Sequence, residues 1–256
     1  MQALLTTFCF LFFTYNLSLA QTNHNDLKDV NLKGSVKSFG KCLLEGTSIP
    51  LAVENKICRM GIGNTYNEKG FLISSNSISY NASIVEINYH YNTKGDLSAT
   101  DYYYPEKKTS NSYLVTVKYD SAKNEVSYWF YWENILQSKT IFIRDNKGNL
   151  IVEQNYDANG KLNTEKRYEY DVDNYKIKES FWSIRPPGYL DKPTFESVVT
   201  YHNDERGNPV IKIDSASKEK TTYVYQYDNV GNWLLCTAYN DKGQIKQVTE
   251  QYFEYY

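Results

Sequence analysis

The sequence is poor in the residues that carry most catalytic and metal chemistry. Its three histidines, His24, His90 and His202, and its four cysteines show no CxxC pair and no metal-ligand spacing. That argues against a zinc site or a dithiol redox centre. No HExxH, GxSxG, P-loop or dinucleotide glycine fingerprint occurs, so the motif-borne enzyme classes have no foothold. The net charge of -2 comes with interspersed Lys and Glu, which leaves no basic stripe for nucleic acid. No stretch carries a 3.6-residue apolar period, so helices are not expected.

Long apolar runs are also scarce. The one that stands out is Ala3 to Tyr15, with Leu4, Leu5, Phe8, Phe10, Leu11, Phe12 and Phe13. Ser18-Leu19-Ala20 follows with small residues where a signal peptidase reads, so residues 1–20 read as an export signal cleaved before Gln21. The run is short for a bilayer span, and no later segment is long and apolar enough to be a transmembrane helix. Cys9 sits inside the run, which disfavours a lipoprotein. Residues 21–32 are polar and read as a flexible leader, with the folded domain over 33–256. Export permits disulfides. Cys42 and Cys58 could close a loop across a polar, proline-containing stretch, while Cys236 reads as a buried small hydrophobe.

What the chain has in excess is tyrosine, 25 residues of 256, a side chain suited to half-buried sheet faces. It also has a recurring phrase: aromatic, Asn or Asp, two variable residues, Gly, one residue, then an apolar one. Copies are Tyr66 to Leu72, Tyr91 to Leu97, Tyr156 to Leu162, Tyr227 to Trp233 and Tyr239 to Ile245, and Asp145 to Leu150 lacks only the aromatic. Degenerate copies begin at Tyr170 and Tyr201. Period-2 segments such as Ile87 to Tyr91, Tyr113 to Tyr119 and Thr222 to Tyr227 separate them. Alternation bounded by Asx and Gly predicts strands joined in hairpins. Gly70, Gly95, Gly148, Gly160, Gly207, Gly231 and Gly243 are the structural turn residues, because Gly enters positive φ without steric cost. The repeat predicts an all-β protein: an elongated, twisted antiparallel sheet of consecutive hairpins, a dozen strands or more.

The phrase resembles the YD (RHS-type) repeat of bacterial polymorphic toxin shells and teneurin-like surface proteins. More closely, the chain is similar to small exported YD-repeat proteins of Bacteroidetes, which open like Asn31 to Ser38 and close like Tyr225 to Trp233 followed by Thr249 to Tyr256. The resemblance covers about residues 31–256. It implies a repeat scaffold and supplies no catalytic residues or cofactor.

One segment breaks the pattern. Phe181 to Tyr189 contains Pro186-Pro187, which cannot stay in a central ladder. Insertions in repeat arrays often form the binding face, so Trp182, Arg185 and Tyr189 are the candidate ligand residues. The acidic pairs Asp171/Asp173 and Asp204/Glu205 lack calcium-loop spacing and read as hairpin tips. An outer-membrane barrel is disfavoured because Glu254 and Glu250 share one face of the last strand. The sequence therefore points to an exported, non-enzymatic binding or scaffold protein, without cofactor or metal, whose partner is a glycan or a cell-surface protein. The alternatives are a glycan-active enzyme or carbohydrate-binding surface protein, and a toxin-associated or immunity component.

Overall fold

The computed structural model describes residues 32–44, 58–79, 82–183 and 196–256. The expected export signal and almost all of the expected leader lie outside the described residues, as do Arg185 and Tyr189. No helix occurs among the described residues. The first strands are β1 (Val36–Leu44), β2 (Cys58–Tyr66), β3 (Leu72–Ser79), β4 (Ala82–Tyr91), β5 (Leu97–Tyr104) and β6 (Thr109–Asp120). Next come β7 (Glu125–Trp132), β8 (Ile135–Arg144), β9 (Leu150–Asp157), β10 (Leu162–Tyr170) and β11 (Lys176–Ser183). The last are β12 (Glu196–Asn203), β13 (Pro209–Asp214), β14 (Lys220–Tyr227), β15 (Trp233–Tyr239) and β16 (Ile245–Tyr255).

The strands follow one another in chain order, and β1 pairs with both β2 and β16, giving a closed antiparallel barrel of sixteen strands. This corrects the expectation of an elongated open sheet. The β1–β16 ladder runs from Val36 opposite Tyr255 to Leu43 opposite Thr249. Closure removes the two edges that an open sheet would expose. Register shifts recur where strands leave the turns, at Thr65/Tyr66, His90/Tyr91, Ile143/Arg144 and His202/Asn203. Such bulges add local twist, and accumulated twist curls a many-stranded sheet.

The turns show why the phrase has its composition. In each, the Asx side-chain oxygen accepts the backbone N–H groups two and four residues on, and Asp228 accepts that of Gly231 as well. Asn67 Oδ1 accepts from Lys69 and Phe71 at 3.0 Å each, and Asp145 Oδ1 accepts from Lys147 at 2.9 Å and Asn149 at 2.8 Å. The degenerate copies bond the same way, through Asp171 and Asp204. The glycine then donates to the Asx carbonyl, as Gly70 does to Asn67 at 2.8 Å, with φ of +83°. In the Asp171 copy Asn174 takes the glycine's place at φ +66°, a conformation Asn tolerates better than most residues. The aromatic and the apolar residue of the phrase face each other in register, as Tyr66–Leu72, Tyr91–Leu97 and Tyr156–Leu162.

Tyrosine hydroxyls link neighbouring copies. Tyr91 Oη donates to the Leu72 carbonyl at 2.7 Å, and Tyr170 Oη to the Leu150 carbonyl at 2.9 Å. The acceptors are the apolar residues two after Gly70 and Gly148, at the turns that begin the preceding strands β3 and β9. Phe would supply the ring but not the bond, which is one reason tyrosine outnumbers phenylalanine here.

The chain divides into two compact units, one of residues 1–113, 224–238 and 245–256, the other of residues 114–223 and 239–244. In the first unit the buried strand faces carry Phe39, Tyr66, Leu72, Ile87, Leu97 and Tyr102. In the second they carry Val115, Tyr128, Phe130, Phe142 and Val199, together with Glu153, Thr140 and Asn155.

Candidate functional site

Of the residues singled out for ligand binding, Trp182 lies half-buried near the end of β11, with the Arg167 guanidinium 5.4 Å from its ring centroid. Arg185 and Tyr189 lie outside the described residues. Two other tryptophans also carry cations. Lys118 and Lys139 lie 4.1 and 5.0 Å from the Trp129 ring centroid, and Lys41 lies 5.7 Å from that of Trp233. Each is an arrangement in which the ring quadrupole attracts the cation. The seven turn glycines all have positive φ, and Cys42 and Cys58 are joined in a disulfide. Cys236 is a buried free thiol. Burial pushes it up to about 11, against the opposing pull of Tyr225 and Lys41, so it is inert as a nucleophile at neutral pH.

The second unit holds a network of charged side chains on its buried face. Glu153 is 1% exposed and accepts from Tyr168 Oη at 3.0 Å and from Asn155 Nδ2 at 3.3 Å, with Lys166 Nζ at 3.7 Å. Thr140 donates to Asn155 Oδ1 at 2.8 Å, and Asn155 donates in turn to Thr164 at 3.1 Å. Further along, Lys176 Nζ meets Glu179 at 2.9 Å and lies 5.4 Å from the Tyr168 ring and 5.1 Å from the Tyr201 ring. Side chains three apart on a regular strand point to opposite faces. A register shift between Glu169 and Tyr170, opposite this stretch of β11, allows Lys176 to meet Glu179. Burial alone would raise the Glu179 pKa, but Lys176, with Lys166 and Lys212 behind it, holds it below the usual carboxylate range. A general acid needs the reverse. Burial pushes the Tyr168 and Tyr201 hydroxyls up, reinforced by Glu153 and Glu179 respectively. Partners satisfy this network from within, and it reads as structural.

The first unit contains a cavity of about 630 Å³, and it arises from glycine. Gly40 of β1 and Gly63 of β2 face each other directly. Gly40 is also opposite Tyr252, and Gly63 opposite Asn76. Asn76 is opposite Glu86, and Glu86 opposite Tyr103. Paired residues in an antiparallel sheet share a face, so Tyr252, Gly40, Gly63, Asn76, Glu86 and Tyr103 form one row across six strands. The neighbouring row on that face is Glu254, Ser38, Thr65, Ser74, Asn88 and Asp101.

The side chains beside the glycines lie down over them. A Cβ on Gly40 would sit 2.8 and 2.9 Å from Tyr252 ring carbons, and one on Gly63 would collide with the Asn76 amide. The glycines thus keep a low floor between Tyr252 and Glu86, walled by Ser38, Thr65, Ser74 and Asn88. Tyr252 is 52% exposed and Tyr103 40%. Glu254 is paired with Lys37 at 2.6 Å and Asp101 with His90 at 2.6 Å. Hydrogen bonding from Ser112, opposed by burial and helped by His90, keeps Asp101 ionised to lower pH than usual. Lys41 lines the cavity too, but it alternates to the opposite face, against Trp233.

Sequence reasoning passed over this groove. Its signal was present in Gly61-Ile62-Gly63, glycines at period 2 inside a strand, a pattern that marks close approach of another group.

No known protein family matches the chain, and no functionally curated protein matches it. Among solved structures, a porin-like protein from Bacteroides uniformis is 11% identical with a TM-score of 0.44, over 87% of this chain and 98% of that one. A porin-like protein from Bacteroides vulgatus is 10% identical with a TM-score of 0.34, over 86% and 98%. A TcdB2-TccC3 structure is 14% identical with a TM-score of 0.32, over 76% of this chain and 11% of that one. Similarities of this size carry no functional argument. No helix among the described residues is long and apolar enough to cross a membrane.

Proposed function

We propose that the protein is an exported, non-enzymatic binding or scaffold protein built of YD-type turn repeats, with the groove over Gly40 and Gly63 as its recognition surface. The observation that carries this reading is the groove itself, about 630 Å³ and within the usual range of ligand sites. Paired glycines keep its floor low. The export signal over residues 1–20 supplies the compartment, and the repeated Asx–Gly bonding supports the repeat reading. Exposed strand positions carry Glu86, Lys118, Arg167, Glu169 and Glu254, where a lipid-facing barrel needs apolar residues. These faces suit water.

A glycan-active enzyme has less support. Two carboxylates must flank a scissile glycosidic bond, whereas Glu86 is the single carboxylate among the described groove-lining residues.

Thermal-shift screening of the full chain tests the reading, with oligosaccharides, peptides and nucleotides as probes. A ligand at 100 times its Kd stabilises by about 2.7 kcal/mol, a rise of roughly 5–10 °C in Tm for a protein of this size. The rise should vanish when Asn76→Ala and Glu86→Ala are combined. Equal stabilisation of variant and wild type, or none in either, would defeat the proposal.

A further inference from the structure

The second unit carries a surface of a different kind, away from the groove. We infer that the end of the β7–β8 hairpin docks on a lipid surface with anionic headgroups, entering the interface without crossing it.

The hairpin end is apolar on both faces. Glu133 and Asn134 join the strands with φ of +48° and +64°, the geometry of a tight type I′ turn. Trp132 and Ile135 stand opposite each other beside that turn. Leu114, Tyr131 and Leu136 form the next row, and alternation puts it on the other face. Trp132 is 45% exposed, Leu114 58% and Ile135 66%. A strand pair in water keeps one face packed and the other polar. A protein partner covering one face would leave the other apolar and wet, whereas a lipid interface surrounds the hairpin end. Trp and Tyr are the side chains that settle at such interfaces.

Two cations stand just behind. Lys118 and Lys139 lie 4.1 and 5.0 Å from the Trp129 ring centroid, and Lys139 lies 4.3 Å from that of Tyr156. Neither forms an ion pair among the described residues, and an aromatic ring holds an ammonium without neutralising it. Trp129 shares the face of Tyr131, two residues back, or about 7 Å. Amphipathic elements bury their apolar side about 5–10 Å deep in an interface, so insertion to that depth brings both ammonium groups to the headgroups. The carboxylates of this face on β6–β9, Asp120 and Glu125, lie opposite each other at the far end of the ladder, with Glu125 about 13 Å behind Trp129.

Glu133 is the one opposing charge in the turn. It weakens docking on an anionic surface, and its removal should strengthen it.

The test mixes the full chain with vesicles of phosphatidylcholine and phosphatidylglycerol whose acyl chains carry bromine, which quenches nearby tryptophan. Pure phosphatidylcholine vesicles are the comparator. The apolar run over residues 3–15 is common to every variant, so differences between variants isolate the hairpin. Anionic vesicles should quench the wild type, and Trp132→Phe should lose most of that quenching. Ile135→Glu should weaken vesicle binding about ten-fold or more. Lys118→Gln and Lys139→Gln should each weaken it about five-fold at low salt, and about 1 M salt should have the same effect. Glu133→Gln should tighten it. Val172→Glu should leave it unchanged: Val172 is 85% exposed but sits in the Asp171 turn at the opposite end of the strands. Unchanged urea midpoints report that each variant folds. Quenching equal in wild type and Trp132→Phe, or a loss with Val172→Glu as large as with Ile135→Glu, would overturn the inference. So would self-association without vesicles that Ile135→Glu abolishes, which would give the hairpin end to a second copy of the chain.

Discussion

Gly160 and Gly207 close the same turn phrase within one unit, with φ of +77° and +82°, yet alanine should act very differently at the two. An added Cβ at Gly160 meets nothing within 4 Å. At Gly207 it would fall well inside 3.0 Å of two Tyr175 ring carbons. That ring is held at both ends: the Tyr175 backbone N–H donates to Asp171 Oδ1 at 2.8 Å, and its hydroxyl donates to the Glu205 carbonyl at 3.1 Å. It cannot swing aside without losing a bond. Left-handed backbone costs alanine about 1–2 kcal/mol, partly offset by about 0.4–1 kcal/mol from a less flexible unfolded chain. Gly160→Ala should therefore cost about 1 kcal/mol. Gly207→Ala adds an overpacking term of about 1–3 kcal/mol, for a total of roughly 2–4 kcal/mol. Urea denaturation followed by tyrosine fluorescence measures both, with m unchanged. In a Tyr175→Ala background the excess at Gly207 should disappear. Equal costs at the two glycines, or an excess that survives loss of Tyr175, would refute the reasoning.

Tyr91→Phe and Tyr170→Phe should each lose about 0.5–1.5 kcal/mol by deleting the hydroxyl bond to the neighbouring copy, whereas Tyr103→Phe, half-exposed, should be neutral to stability; the same denaturation curves decide it, and three equal values would count against the linkage. Glu179 has its folded pKa depressed by Lys176 against the pull of burial, so its contribution is full above the unfolded value of about 4.3 and is lost as pH falls through the folded value. Glu179→Gln should accordingly flatten the fall in urea midpoint between about pH 5 and pH 2; an unchanged pH slope would show that the pair contributes nothing. Reducing Cys42–Cys58, or replacing both with Ser, should cost about 3 kcal/mol in the chain-entropy picture. Cys236→Ser, unpaired, should not respond to reductant, and a reductant effect that persists in the Cys42/Cys58 double variant would contradict the assignment.

The turns were legible in the sequence because their chemistry is local. Asp145 needs only Lys147 and Asn149 to make its two bonds, and Gly148 needs only its own backbone freedom. Even the copy at Asp171 keeps that bonding with Asn174 in the glycine's place, although it looked degenerate as text. Closure was not legible. It depends on Val36 meeting Tyr255 at the far end of the chain, and on bulge twist summed over every strand, which no local pattern records. The tyrosine excess was readable as structural, but the bonds from Tyr91 and Tyr170 to carbonyls at the start of the preceding strand were not, since they need the register. The groove went unread for a related reason. A proline-rich interruption around Trp182 is conspicuous in a repeat, whereas Gly40, Gly63, Asn76 and Tyr252 come from four different strands and converge only through pairing.

A crystal structure of the full chain grown with the probe that stabilises it most decides most directly whether the groove is where this protein works. The probe should lie across the strands over Gly40 and Gly63, against Tyr252 and Asn76. A probe bound instead around Trp182, with the groove empty, would contradict that placement.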